Sequence, residues 1–250
     1  MTSKVRSFSD EASAAAALRE ELVNTLASPP EFGPRVVMLA GGTTPLRVYG
    51  QIAEDPPDLV ASGTWLLLSD DRHVPHEDER SNYGKIQRMA SSLGVSGSRV
   101  IYPDPELPPA ESASDFGIHI ATPARSGADF ELGILGIGAD GHTASLFSPD
   151  LVPASKDAAT IATGTPVFTS PDELALAAGV QDGVERVSVS ATVLLCFRRL
   201  VFFAPGDAKG EILREILRTP HRYPAGRILM QHPAAEIWTD QTLDPDAGAD

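Results

Sequence analysis

"LGILGIGADGHTASLF" (residues 132–147) supports two incompatible readings, and the choice between them decides what kind of α/β protein this is. Gly136, Gly138 and Gly141 spell G-x-G-x-x-G after an apolar run, the pattern of a dinucleotide-binding turn. The same stretch carries Asp140 and His142, two residues apart, as a carboxylate–imidazole pair would be. A dinucleotide turn brings a pyrophosphate against the glycines and needs an acidic residue about 20 positions further on. Here Asp140 sets negative charge where the pyrophosphate would lie, and the downstream stretch "TIATG" (160–164) holds no acid. The acid–base reading is stronger: histidine is the usual general base near neutral pH, and a nearby carboxylate can orient its ring and stabilise the imidazolium. Spacing alone leaves open whether Asp140 reaches His142 or caps a helix that follows.

Outward from this stretch, short apolar runs recur at 35–40, 64–70, 99–103, 129–137, 198–204 and 227–230. They are continuous rather than alternating, as in parallel strands covered on both faces. "VSVSATVL" (187–194) alternates better and reads as an edge or mixed strand. Helical patterns lie at 9–30, with Ser9 as expected cap, in "PLRVYGQIAED", and in "DAKGEILREILRT". Strand and helix in alternation predict a three-layer α/β/α arrangement around a mostly parallel sheet, in one domain over residues 1–250. "PDPELPPAES" (103–112) reads as an exposed loop, and 244–250 as a frayed tail.

The chain has 34 acidic and 20 basic residues, a net charge of −14, which disfavours nucleic acid and anionic membranes as partners. A small anion held in a local basic pocket remains compatible. The single cysteine, Cys196, excludes an internal disulfide and reads as an inert buried thiol. With no apolar run of membrane-spanning length and no secretory start, the expectation is a cytoplasmic protein. Oligomeric state is not legible.

Ligands of open α/β sheets bind where strands end and helices begin, and two further strand-end loops carry unusual chemistry. In "MLAGGTTPLRVY", Gly41 and Gly42 permit a tight turn, Thr43 or Thr44 can cap the helix, and Pro45 suits its first position. Backbone N–H groups then converge at a positive helix end, a natural phosphate site. In "LLLSDDRHVPHEDERSNYG", Asp70, Asp71 and Arg72 follow an apolar strand directly, where charge is costly unless paired or used. Ser81 and Asn82 close that segment. His73 and His76 lack a further clustered ligand, so no metal is expected. Lys209 opens a helix, the unfavourable end for a cation by about 0.3–1 kcal/mol, and Arg186 heads a strand; with Arg72 they could form the basic pocket an anionic substrate needs.

"GGTTPLRVY", "DDRHVP…SNY", "GIGADGHTASLF", "RVSVS" and "GDAKGE" together resemble the 6-phosphogluconolactonases, from about Arg35 to Trp238. The resemblance implies the modified Rossmann-type fold of the deaminase and ribose-phosphate isomerase group, and hydrolysis of a phosphorylated sugar lactone without metal or organic cofactor. It implies that His142 activates water beside Asp140, that Gly41, Gly42, Thr43, Thr44, Arg186 and Lys209 bind the phosphate, and that Asp70, Arg72 and Asn82 help hold the substrate. Two departures stand out: Asp71 replaces the family's usual Glu, and Ser148 intervenes before Pro149. The related deaminases carry an acidic residue after the histidine, in a pattern resembling "GHIAFNEP", and tend to have Tyr where Arg72 stands. A non-catalytic sugar-phosphate sensor is the remaining alternative, though the chain shows no basic helix-turn-helix pattern and keeps both Asp140 and His142.

Overall fold

The structure, a computed structural model, describes residues 4–30, 33–153, 168 and 170–243. Ten strands form two sheets: β1 (Val5–Ser7), β2 (Arg35–Leu39), β3 (Thr64–Leu68), β4 (Asp70–Arg72), β5 (Val100–Ile101), β6 (Asp129–Leu135), β7 (Ala175–Gln181), β8 (Val184–Val189), β9 (Arg199–Phe203) and β10 (Ala235–Thr239). Seven of them make a sheet in the order β1-β10-β9-β6-β2-β3-β5, parallel throughout. The others make a small antiparallel sheet, β4-β8-β7.

The continuous apolar runs are explained by burial on both faces. Along β2, Val36 and Met38 enter one core cluster while Val37 and Leu39 enter the other. Along β9, Leu200 and Phe202 face one side and Val201 and Phe203 the opposite one. Helices α1 (Glu11–Ala27), α2 (Thr43–Glu54) and α3 (Asn82–Ser92) cover one face; α4 (Pro109–Arg125), α6 (Gly210–Arg218) and α7 (Pro224–Gln231) cover the other. A single turn, α5 (Ala191–Leu194), follows β8. The expected α/β/α layering is therefore present.

Several local expectations are corrected. Residues 227–230 belong to α7, not to a strand: Pro224 sets the first turn, and Ala225, Ile228 and Leu229 fall on one buried face. Three consecutive apolar residues, Ile228 to Met230, do not separate helix from strand by periodicity. The proline-rich stretch is a loop only through Pro108; Pro109 opens α4, where a missing N–H costs nothing. Asp10, rather than Ser9, caps α1 by accepting from Ser13 N at 2.7 Å. The second sheet was not anticipated as a unit, because β4 is three polar residues continuing from β3. The expected frayed tail, 244–250, lies outside the described residues.

The sheet order places the site. From β2 the chain moves to β3 and β5 on one side; from β6 it moves to β9 and β10 on the other. The loops after β2 and β6 therefore diverge at a topological switch point, where open α/β sheets bind ligands.

Candidate active site

Residues 136–147, which follow β6, fold into a turn closed on itself. Gly138 N donates to His142 O at 2.9 Å, Gly141 N to Gly138 O at 3.0 Å, and Thr143 Oγ1 to Gly136 O at 2.9 Å. No helix follows directly, since Thr143 and Leu146 pair as a bridge. Asp140 is therefore not a helix cap: its Oδ1 lies 2.5 Å from His142 Nδ1 and also accepts from His142 N at 3.2 Å. Gly138 makes this approach possible, because a Cβ there would stand 2.1 Å from His142 Nδ1. The edge of Phe147 packs on the imidazole at 4.9 Å between ring centres.

Partial burial works against ionisation of Asp140, but the hydrogen bond from His142 and the imidazole's charge outweigh it and hold the carboxyl below its usual range. An ionised Asp140 at Nδ1 fixes the tautomer: the proton sits on Nδ1 and Nε2 is left as the base. The side chain of His142 is 23% exposed and lines a cleft of about 160 Å³. Ala40, Gly41, Gly42, Asp70, Arg72, Asn82 and Ala144 form other parts of the same cleft.

The β2 loop supplies the cleft's helix end. Gly42, at φ +99°, occupies the cap position of α2, so Thr43, Thr44 and Pro45 are its first three residues. This corrects the expectation of a threonine cap and of Pro45 at the first position. Glycine takes the cap slot at positive φ and has no side chain to offer. The hydroxyls of Thr43 and Thr44 are consequently not spent on capping, and their N–H groups have no partner within the helix.

The small sheet carries two arginines, Arg72 of β4, which lines the cleft, and Arg186 of β8. Arg72 and Arg186 are directly opposed in the antiparallel register, with Asp70 opposite Ser188 one step further on the same face. Like charges opposed on a sheet are destabilising. Burial first, and then the charge of Arg72, lower the pKa of Arg186 from its ordinary value. Among the described residues, neither Arg72, Arg186 nor Lys209 makes an ion pair. Lys209, just before α6, donates from Nζ to the carbonyl of Ile137, a cleft residue, at 2.6 Å. Burial lowers its pKa against the opposing pull of Asp140.

Asp71 and Asn82 act behind this surface. The buried Asp71 accepts from the backbone N–H groups of Asn82 and Tyr83 at 2.6 and 2.9 Å and from Ser81 Oγ at 3.1 Å, tying β4 to the start of α3. Asn82 lies in the cleft wall with its amide donating to Asp70 O at 3.0 Å and its Oδ1 accepting from Arg72. Ser148 caps the short turn Pro149–Leu151 through Asp150 N, at 3.2 Å, so this departure is absorbed outside the cleft. His76 packs against Tyr83 and Tyr102 at 4.5 and 5.1 Å. Among the described residues no three His, Cys, Asp or Glu side chains are grouped to hold a metal ion, and no helix is long and apolar enough to cross a membrane.

Sequence reasoning missed Ser145 and Ser188, which bond to the walls of this site, and Tyr223, which presses on Gly141. Two serines in otherwise apolar surroundings ("ASLF" and "VSVS") were the available signal for the first two.

An open parallel α/β sheet with a carboxylate–imidazole pair at its switch point, beside cations that make no ion pair among the described residues, is an arrangement of the α/β enzymes. Comparison with known proteins narrows it: the chain belongs to the glucosamine-6-phosphate isomerase/6-phosphogluconolactonase family, whose pattern matches residues 9–238. It is 33% identical over 184 residues to the 6-phosphogluconolactonase of Thermotoga maritima, covering 73% of this chain and 74% of that one. It is 32% identical over 211 residues to the human 6-phosphogluconolactonase, covering 80% and 75%. The crystal structure of the Thermotoga maritima enzyme superposes with a TM-score of 0.71 at 26% identity, over 94% of this chain and 96% of that one. A monomeric glucosamine-6-phosphate deaminase shares the fold, with a TM-score of 0.66 at 17% identity over 94% and 95%.

Proposed function

We propose that this protein hydrolyses 6-phosphogluconolactone to 6-phosphogluconate, the second step of the oxidative pentose phosphate pathway, with His142 as general base. The observation that carries the reading is the Asp140–His142 pair, 2.5 Å apart, with His142 lining a cleft and with Arg72, Arg186 and Lys209 making no ion pair among the described residues. Family membership and the lactonase relatives support the substrate class.

In the proposed reaction, His142 Nε2 takes a proton from water as the oxygen attacks the lactone carbonyl carbon. Asp140 stabilises the imidazolium that results. The tetrahedral oxyanion collapses, the bond from the carbonyl carbon to the ring oxygen breaks, and that oxygen takes the proton back from His142. The product acid then ionises. No covalent nucleophile is required, and no serine lies in a G-x-S-x-G turn. The free N–H groups of Thr43 and Thr44 at the Gly41–Gly42 turn, with Arg186 and Lys209, suit the phosphate. Arg72, oriented by Asn82, suits the sugar and the developing oxyanion. The soluble substrate fits a cytoplasmic setting.

The test is the disappearance of freshly generated 6-phosphogluconolactone with and without the protein, corrected for spontaneous hydrolysis. Acceleration supports the reading; none above background refutes it. Ammonia released from glucosamine 6-phosphate would transfer the site to the deaminase reaction of the same family.

A further inference from the structure

Ser145 makes contacts that neither the base nor the anion-binding groups explain. It lies three residues beyond His142, just after Ala144, a non-glycine residue at φ +48°. Such backbone persists only where its surroundings hold it, and it is concentrated at functional sites. Ser145 is 1% exposed and makes two hydrogen bonds, both to the small antiparallel sheet. Its Oγ donates to Asp70 Oδ2 at 2.7 Å, and its N–H donates to Ser188 Oγ at 3.2 Å. Asp70 and Ser188 are cross-strand partners, one step along the same face from the opposed Arg72 and Arg186. A single residue of the His142 turn thus grips the next pair on the same face of the ladder as the two guanidinium groups, two rungs from them.

The other partners of Asp70 make this grip firm. Its second oxygen accepts from Ser69 Oγ at 2.7 Å, and its carbonyl accepts from the Asn82 amide at 3.0 Å. Both carboxylate oxygens are therefore engaged by serine hydroxyls. Ser188 Oγ in turn donates to Val189 O at 2.9 Å, which leaves its oxygen lone pairs for the Ser145 N–H.

We propose that Ser145, latched to Asp70 and Ser188, is a positioning residue that sets His142 against the substrate held by Arg72 and Arg186. The inference rests on the lactonase reading and deepens it. His142 lies on the turn that follows β6 of the large sheet, whereas Arg72 and Arg186 belong to the small one. Near Ser145 the latch supplies polar bonds between the two, and a misplacement of about 1 Å between base and bound substrate can cost a hundredfold in rate. Asp70 is accordingly assigned to the latch rather than to direct contact with the sugar.

The experiment compares wild type, Ser145→Ala and Ser145→Thr, with Ser188→Ala as the milder break. Ser145→Ala is expected to lower kcat about 10–100-fold while the Kd for 6-phosphogluconate stays within about threefold. Ser145→Thr, which keeps the hydroxyl, recovers most of the rate, and Ser188→Ala loses less than Ser145→Ala. Hydrogen exchange, independent of turnover, is expected to accelerate at the Gly141 and Leu146 amides in Ser145→Ala. Unchanged kcat in folded Ser145→Ala, or unchanged exchange, overturns the latch. If Ser145→Ala does not fold, unchanged kcat and exchange in Ser188→Ala overturn it, and losses in both support it. Inactive wild-type protein instead refutes the lactonase reading, and the exchange data still decide whether the tether exists.

Discussion

The two ends of the parallel sheet treat arginine in opposite ways. At the end where β2, β6 and β9 begin, three arginines have carboxylates: Arg35 meets Glu131 at 3.2 Å, Arg198 pairs with Asp129, and Arg199 meets Glu21 at 2.6 Å and Glu236 at 3.6 Å. At the end where the strands finish, Arg72 and Arg186 oppose one another, with Lys209 nearby and no ion pair among them. The chain has an excess of carboxylates, so the difference is not one of supply. Paired guanidinium groups close one end of the fold; at the other, Arg72 and Arg186 stand opposed without an ion pair among the described residues, within electrostatic reach of Asp70 and Asp71.

The comparison can be broken most severely at His142. His142→Ala is expected to lower kcat about 10²–10⁴-fold while leaving 6-phosphogluconate binding near wild type, because it removes the base and no cation. A fully active variant in a background-corrected assay contradicts the assignment. Next in size, Arg35→Met at the paired end should cost about 3 kcal/mol in denaturant unfolding without changing KM, since it strands Glu131. Partial exposure of Glu131 keeps the cost at the low end.

Arg186→Met sharpens the contrast from the other side. Loss of charge-assisted contacts is expected to weaken 6-phosphogluconate about 10–100-fold by calorimetry, with no loss of stability in the free protein. Asp140→Asn should lower kcat by about tenfold or more, because it removes the carboxylate that holds His142 Nδ1. An unchanged kcat refutes this role. Ser148→Ala should be the smallest change, about 1 kcal/mol or less in thermal melts with kcat untouched, because it removes only a turn cap.

Legibility in the sequence followed the same division. The runs at 35–40 and 198–204 announced the sheet because burial on both faces calls for consecutive hydrophobic residues after the leading arginines. The Asp140–His142 pair was visible because glycines on either side signalled a turn with no other use. The small sheet was not, since Asp70–Arg72 pairs by backbone hydrogen bonds that any residue can make, and its partner lies more than a hundred positions away. Opposition of Arg72 to Arg186 is likewise a matter of register, to which composition and local spacing are blind. Residues 227–230 misled because a short helix buried on one side, with Met230 exposed at its end, reads like a strand in four letters.

The central claim is that the unpaired cations at the strand ends exist for a phosphorylated ligand, and paired melting curves test it most directly. Wild type and Arg186→Met are heated with and without 6-phosphogluconate at a concentration near 100 times the wild-type Kd. The account predicts that the ligand raises the wild-type Tm by about 5–10 °C, that this rise is largely lost in Arg186→Met, and that the free variant melts no lower than free wild type. A free variant that melts several degrees lower yet keeps the full ligand-induced rise would make Arg186 a structural residue like Arg35, and would contradict the account.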